Sequence, residues 1–140
     1  MIRMLDHTAD VGFEIEAPTL VSMFDEARWA LLLTVFERPP KKRERELILR
    51  LAAPDLETLL VRWINELIYL IQHTGSVPVR AKIRIQEAGT DAFSLEALLA
   101  GAPALLEDYG WQGEIKSATL YGLTVVPKEE GWRAQVILDV

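Results

Sequence analysis

The chain has 140 residues, half of them hydrophobic and 26% charged, with a formal net charge of −6. That size suits one domain, residues 1–140, with an adequate core, and the acidic balance argues against tight binding of a nucleic-acid backbone by the molecule as a whole. There is no cysteine, which excludes disulfide frameworks and thiolate metal sites; Arg3 and Asp6 break any leader-like apolar run, and no stretch has the length and apolarity of a membrane span.

Taken in order, Val11, Phe13 and Ile15 alternate with Gly12, Glu14 and Glu16, the period of a half-buried strand. Thr19 is a suitable N-cap for a helix carrying Leu20, Met23, Phe24, Ala27, Leu31 and Val35 at helical spacing, and Pro39-Pro40 marks its end. The mixed-charge run 41–46 reads as a solvated loop and strand entry, with a docking patch for an anionic partner as the sharper alternative. Residues 47–53 read as a mostly buried strand.

Asp55 is the expected N-cap of a second helix, whose stripe is Leu56, Leu59, Leu60, Trp63, Ile64, Leu67, Ile68 and Ile71. Asn65 and Glu66 are assigned to its exposed face. His73 falls in the last turn before Thr74-Gly75, where it complements the helix dipole. Residues 79–86 alternate, with Arg80, Lys82 and Arg84 on one face, as in an antiparallel strand with a wet side. This row is the best basic patch in the chain; it reads first as a solvated face and second as a site for RNA or an acidic partner. Gly89-Thr90-Asp91 turns the chain into a strand over 93–97, stopped by Gly101-Ala102-Pro103. Residues 104–113 are the least regular segment, a surface loop with aromatics. A strand over 115–126, a turn at 127–131 and a final strand to Val140 complete the chain. The fold expected is α+β: a largely antiparallel sheet with two amphipathic helices packed on one face.

Two aspartates stand out by position. Asp10 lies at the entry of the first strand and Asp139 at the exit of the last, each with the parity of the polar face. If these strands run antiparallel, Asp10, Asp139 and a terminal carboxylate at Val140 come together. Such a group needs protons or a cation, and hard divalent cations take oxygen ligands. Taken singly, each aspartate reads as a cap, a turn residue or a solvated strand end. His7 either orients the Asp10 carboxylate or makes a local turn hydrogen bond. Lys116, at the entry of the penultimate strand, lies near Asp139 if that strand and the last form a hairpin; the alternative is a routine exposed strand lysine. Two histidines, His7 and His73, make a zinc site improbable, and there is no nucleophile elbow or glycine-rich phosphate loop.

The stretch His7-Thr8-Ala9-Asp10-Val11-Gly12, followed by Ala17-Pro18-Thr19-Leu20, resembles the N-terminal signature of the archease family. Residues 62–70, from Arg62-Trp63-Ile64-Asn65-Glu66, resemble its second-helix motif. Glu114-Ile115-Lys116-Ser117-Ala118-Thr119 and residues 131–140 resemble its last two strands. Many members carry a histidine in the segment 104–113 and a tyrosine-histidine pair where this chain has Leu120-Tyr121-Gly122, and this chain has neither. The resemblance implies a non-enzymatic accessory protein that activates the RtcB-type RNA ligase of tRNA splicing, promoting ligase guanylylation and multiple turnover. It also implies a bound divalent metal, calcium first and magnesium or manganese as alternatives, at positions matching Asp10, Asp139 and Val140, with Lys116 and His7 serving activation. RNA would be met only through the ligase, with no membrane and a cytoplasmic location. The other classes are a metal-dependent hydrolase or nuclease using Asp10 and Asp139, and a general chaperone-like interaction module using the Arg80-Lys82-Arg84 face.

Overall fold

The computed structural model describes residues 1–6, 11–87, 89, 92–103 and 106–140. Its elements are β1 (Ile2–Asp6), β2 (Val11–Ala17), α1 (Leu20–Val35), β3 (Arg45–Ala53), α2 (Leu56–Thr74), β4 (Ser76–Glu87), β5 (Phe93–Pro103), a 3-10 turn (Leu106–Tyr109), β6 (Ser117–Lys128) and β7 (Gly131–Asp139). The α+β architecture with two helices and antiparallel strands is the one expected. The strands divide between two sheets, ordered β1-β2-β7-β6 and β3-β5-β4. Both helices touch both sheets, so each sheet turns one face to the helices and leaves the other to solvent.

The helix starts follow from their caps. Thr19 accepts from the Ser22 backbone N–H at 3.0 Å while Ser22 Oγ accepts from the Thr19 N–H at 3.1 Å, a reciprocal box that satisfies two otherwise orphaned donors. Asp55 Oδ1 accepts from the Thr58 N–H at 2.7 Å. Helix α1 stops at Val35, short of Pro39-Pro40, because Phe36 turns to extended backbone and pairs with Trp111. Helix α2 ends in a left-handed Gly75 whose N–H returns to the Leu70 carbonyl. His73 stacks on Tyr69, with ring centroids 5.2 Å apart, in that last turn. The helices are joined inside the core, where the buried Trp63 indole N–H donates to the Phe24 carbonyl at 2.9 Å.

Three expectations are corrected. Strand β3 is not mostly buried: Leu47 is 45% and Ile48 54% exposed, because β3 is an edge strand of a sheet with an open outer face. Strand β5 runs through Gly101 to Pro103; a Cβ at Gly101 would run into the Val77 carbonyl oxygen, so glycine there permits pairing instead of ending it. Asn65 does not face solvent. It is half-buried and bonds to β6. In addition, β1 pairs with β2 from Ile2↔Ile15 to Asp6↔Val11, although nothing in its own pattern announced a strand.

Candidate functional site

Three strand ends meet at one tip of the four-stranded sheet. Strand β7 is its third strand, flanked by β2 and β6, and both pairings are antiparallel. Val11 at the entry of β2 pairs with Leu138, and Ser117 at the entry of β6 pairs with Asp139. The Lys116 N–H donates to the Asp139 carbonyl at 2.8 Å, extending the ladder one residue further. The register therefore brings Lys116 beside Asp139, with Val140 next along the chain. Lys116, Asp139 and Val140 are all exposed. His7 and Asp10 lie outside the described residues.

The orientation of Asp139 follows from the strand period. Ala134, Val136 and Leu138 have no exposed surface and fix the inner face of β7. Asp139 has the opposite parity, so its carboxylate belongs to the outer side. On that outer side Ile137 is also covered, at 7% exposure. It has room because its neighbours are glycines: a Cβ on Gly12 would lie 3.0 Å from Ile137 Cδ1, and one on Gly122 would lie 3.0 Å from Ile137 Cγ1. Gly122 has φ +70, a region that L side chains avoid, and lies where the β6–β7 register shifts between Thr119 and Thr124.

The start of β6 is held from the other side by α2. Asn65 Oδ1 accepts from the Ala118 N–H at 2.7 Å and its Nδ2 donates to the Ala118 carbonyl at 3.3 Å. Two turns on, Gln72 does the same for Ile115, at 2.7 Å in both directions. These carboxamides clamp the two residues that bracket Lys116 and Ser117. Backbone groups that would otherwise be orphaned beside a helix are thus paired. Residues 65 and 72 are seven apart, hence on one face of α2; that spacing of two carboxamides along a buried helix is the signal the sequence carried.

Charges along the outer side are paired away from the tip. Arg133 donates to Glu16 Oε1 through Nε at 2.9 Å and Nη2 at 2.7 Å, and Arg3 bonds Glu14 at 3.1 Å. The Arg133 hydrogen bonds and charge hold the Glu16 carboxyl below its ordinary range. Among the described residues no group of three or more His, Cys, Asp or Glu side chains could hold a metal. Among them, too, no helix is long and apolar enough to cross a membrane.

A family model described as the Archease protein family (MTH1598/TM1083) matches residues 3–140. The chain belongs to the archease family. Protein archease of Methanosarcina mazei is 31% identical over 136 residues, covering 97% of this chain and 93% of that protein. Protein archease of Archaeoglobus fulgidus is 28% identical over 138 residues, covering 99% of this chain and 98% of that protein. The solution structure of Methanobacterium thermoautotrophicum protein 1598 superposes with a TM-score of 0.78 at 22% identity, over 99% of this chain and 98% of that one. At that identity the superposition speaks to the archease fold alone.

Proposed function

We propose that this archease activates an RtcB-type RNA ligase by presenting its strand-end tip to the ligase, promoting guanylylation and repeated turnover. The observation that carries this reading is the convergence of Lys116 and Asp139 through the β6–β7 ladder, in a chain matched by the archease family model from residue 3 to residue 140. The chain offers no nucleophile elbow or phosphate loop of its own, which suits an accessory protein better than a catalyst.

The donor chemistry fits a hard divalent cation. Asp139 supplies an exposed carboxylate, and no thiolate is available. Calcium takes about 6–8 oxygen ligands, so one carboxylate is only part of a shell. In this reading Asp10, Val140 and water supply the rest, with His7 orienting Asp10. A divalent cation held there would bring positive charge to the anionic nucleotide chemistry of the ligase. Lys116 adds an exposed cation on the adjoining strand end, suited to a phosphate or to balancing the carboxylates. The test is ligase guanylylation with and without this protein. Asp139→Ala and Lys116→Ala should each remove most of the stimulation while the melting temperature holds. Full stimulation by both variants would remove the tip from the mechanism.

A further inference from the structure

The proposed activator role makes no use of the outer face of the three-stranded sheet. There Arg80, Lys82 and Arg84 project along β4, and Ile48 and Arg50 along β3, with Leu98 and Glu96 between them on β5. Glu96 takes Arg50 at 3.0 Å and Arg84 at 3.3 Å. Among the described residues, none of the ion pairs formed uses Arg43, Arg80 or Lys82. These three cations line one open hollow of about 450 Å³. A second hollow of similar size shares Arg43, Arg80 and Ala81 with it and adds Lys41 and Trp29. Trp29 is 40% exposed. Four cations and an indole thus follow one continuous depression on a protein whose net charge is −6. The acidic side chains along it are Asp25, already held by Arg28 at 2.9 Å, and Glu46 at the rim.

The β4 wall of the depression is anchored to α1. The β4–β5 register shifts between Pro78 and Arg80, a bulge that re-aims the strand. The buried Arg28 holds this bulge, donating through Nη1 to the Pro78 carbonyl at 3.1 Å and the Val79 carbonyl at 2.9 Å. The point at which Arg80 emerges is therefore fixed. From there, alternate residues of β4 are about 6.8 Å apart, a regular row of positive charge suited to a polyanion with a regular repeat.

We infer that this depression, which runs from the outer face past the β4 edge to α1, binds single-stranded RNA directly, with Arg43, Arg80 and Lys82 on the phosphate backbone and a base stacked on Trp29. Arginine forks match phosphate oxygens, and base–aromatic stacking is the sequence-tolerant partner of such contacts. The indole decides between two polyanions. An acidic peptide satisfies the cations equally well, but RNA brings a planar base with every charge. The choice of RNA over DNA rests on the ligase reading above; the use of this face does not.

The experiment is fluorescence anisotropy of a short labelled oligouridylate with the purified protein, without ligase, across a salt series. Binding should be salt-dependent, with log K falling against log salt by about 2, since each of three phosphate contacts on a single strand contributes about 0.7. Arg80→Gln/Lys82→Gln should weaken binding at least about tenfold and make the slope shallower by about 1.4. Trp29→Ala should weaken it by about tenfold with the slope unchanged. These exposed substitutions should leave the melting temperature intact. Absence of binding at low salt, full binding by the double variant, or equally tight binding of polyglutamate would each overturn the inference. Guanylylation of the ligase needs no RNA, so the double variant should stimulate that step normally, and the two readings fail separately.

Discussion

Replacing Asn65 tests whether the helix clamp, and not the strand ladder alone, sets the start of β6. Asn65→Leu keeps the side chain's approximate volume but removes both partners of Ala118, whose residue surface is 3% exposed. The hydrogen bonds lost are 2.7 Å and 3.3 Å long. A typical net contribution is about 0.5–1.5 kcal/mol each, and a buried donor left unmade costs about 1–3 kcal/mol. The shorter bond, from the Ala118 N–H, carries most of the loss, and the carbonyl with its longer bond adds less. The expected destabilisation is about 2–4 kcal/mol, or roughly 10 °C in melting temperature for a domain of this size. Thermal melts give the total, and hydrogen exchange gives the location, with the Ala118 amide losing protection before the rest of β6. The tip should suffer too, because Lys116 lies between the two clamped residues, so ligase stimulation should fall at temperatures where the variant is still folded. Glu66→Ala, on the neighbouring position, serves as the control with little effect. If Asn65→Leu melts like the parent and Ala118 exchanges no faster, the clamp is not what holds this segment.

Gly12→Ala should cost about 1–3 kcal/mol, since its Cβ would lie 2.5 Å from the Val136 carbonyl oxygen; a chemical denaturation curve with unchanged slope and a lower midpoint is the expected reading. The Glu16 carboxyl should titrate below the ordinary range and move up in Arg133→Met, as followed by carboxyl NMR. Its folded value is depressed, so the stability linked to it is present above the unfolded value and lost as pH falls through the folded one; Arg133→Met should therefore blunt the stability loss in that acid window.

Local pattern revealed most of the architecture, and the exceptions have physical causes. Thr19 and Asp55 cap their helices as their chemistry requires, and the alternation of residues 80–85 carries straight into exposed cations alternating with half-buried Ala81, Ile83 and Ile85, which pack against the core. That the entry of β6 lies near the exit of β7 was legible from the hairpin turn at 128–131, but the pairing of Ser117 with Asp139, which sets Lys116 at that end, depends on the register shift between Thr119 and Thr124, which no hairpin pattern announces. What failed was whatever depended on which sheet a strand joined. Leu47 and Ile48 are as apolar as any core strand, and only the β3 edge position exposes them. Asn65 had the composition of a wet helix face, and only the arrival of β6 against α2 turned it into a clamp. Strand β1 was silent because Leu5 and Asp6 break the alternation begun by Ile2, Arg3 and Met4, leaving a five-residue edge strand with no period to read.

Because β7 is paired on both sides and carries Leu138 inward and Asp139 outward, its core and its tip cannot be misassembled independently. A slip of one residue against β2 and β6 would drive the Asp139 carboxylate toward the apolar interior and expel Leu138, a fault that the whole core resists. Errors at the Asp139 end of the strand are thereby rejected during folding, by the hydrophobic packing of Leu138 and the inward residues before it. The core of this protein acts as the proofreader of its tip.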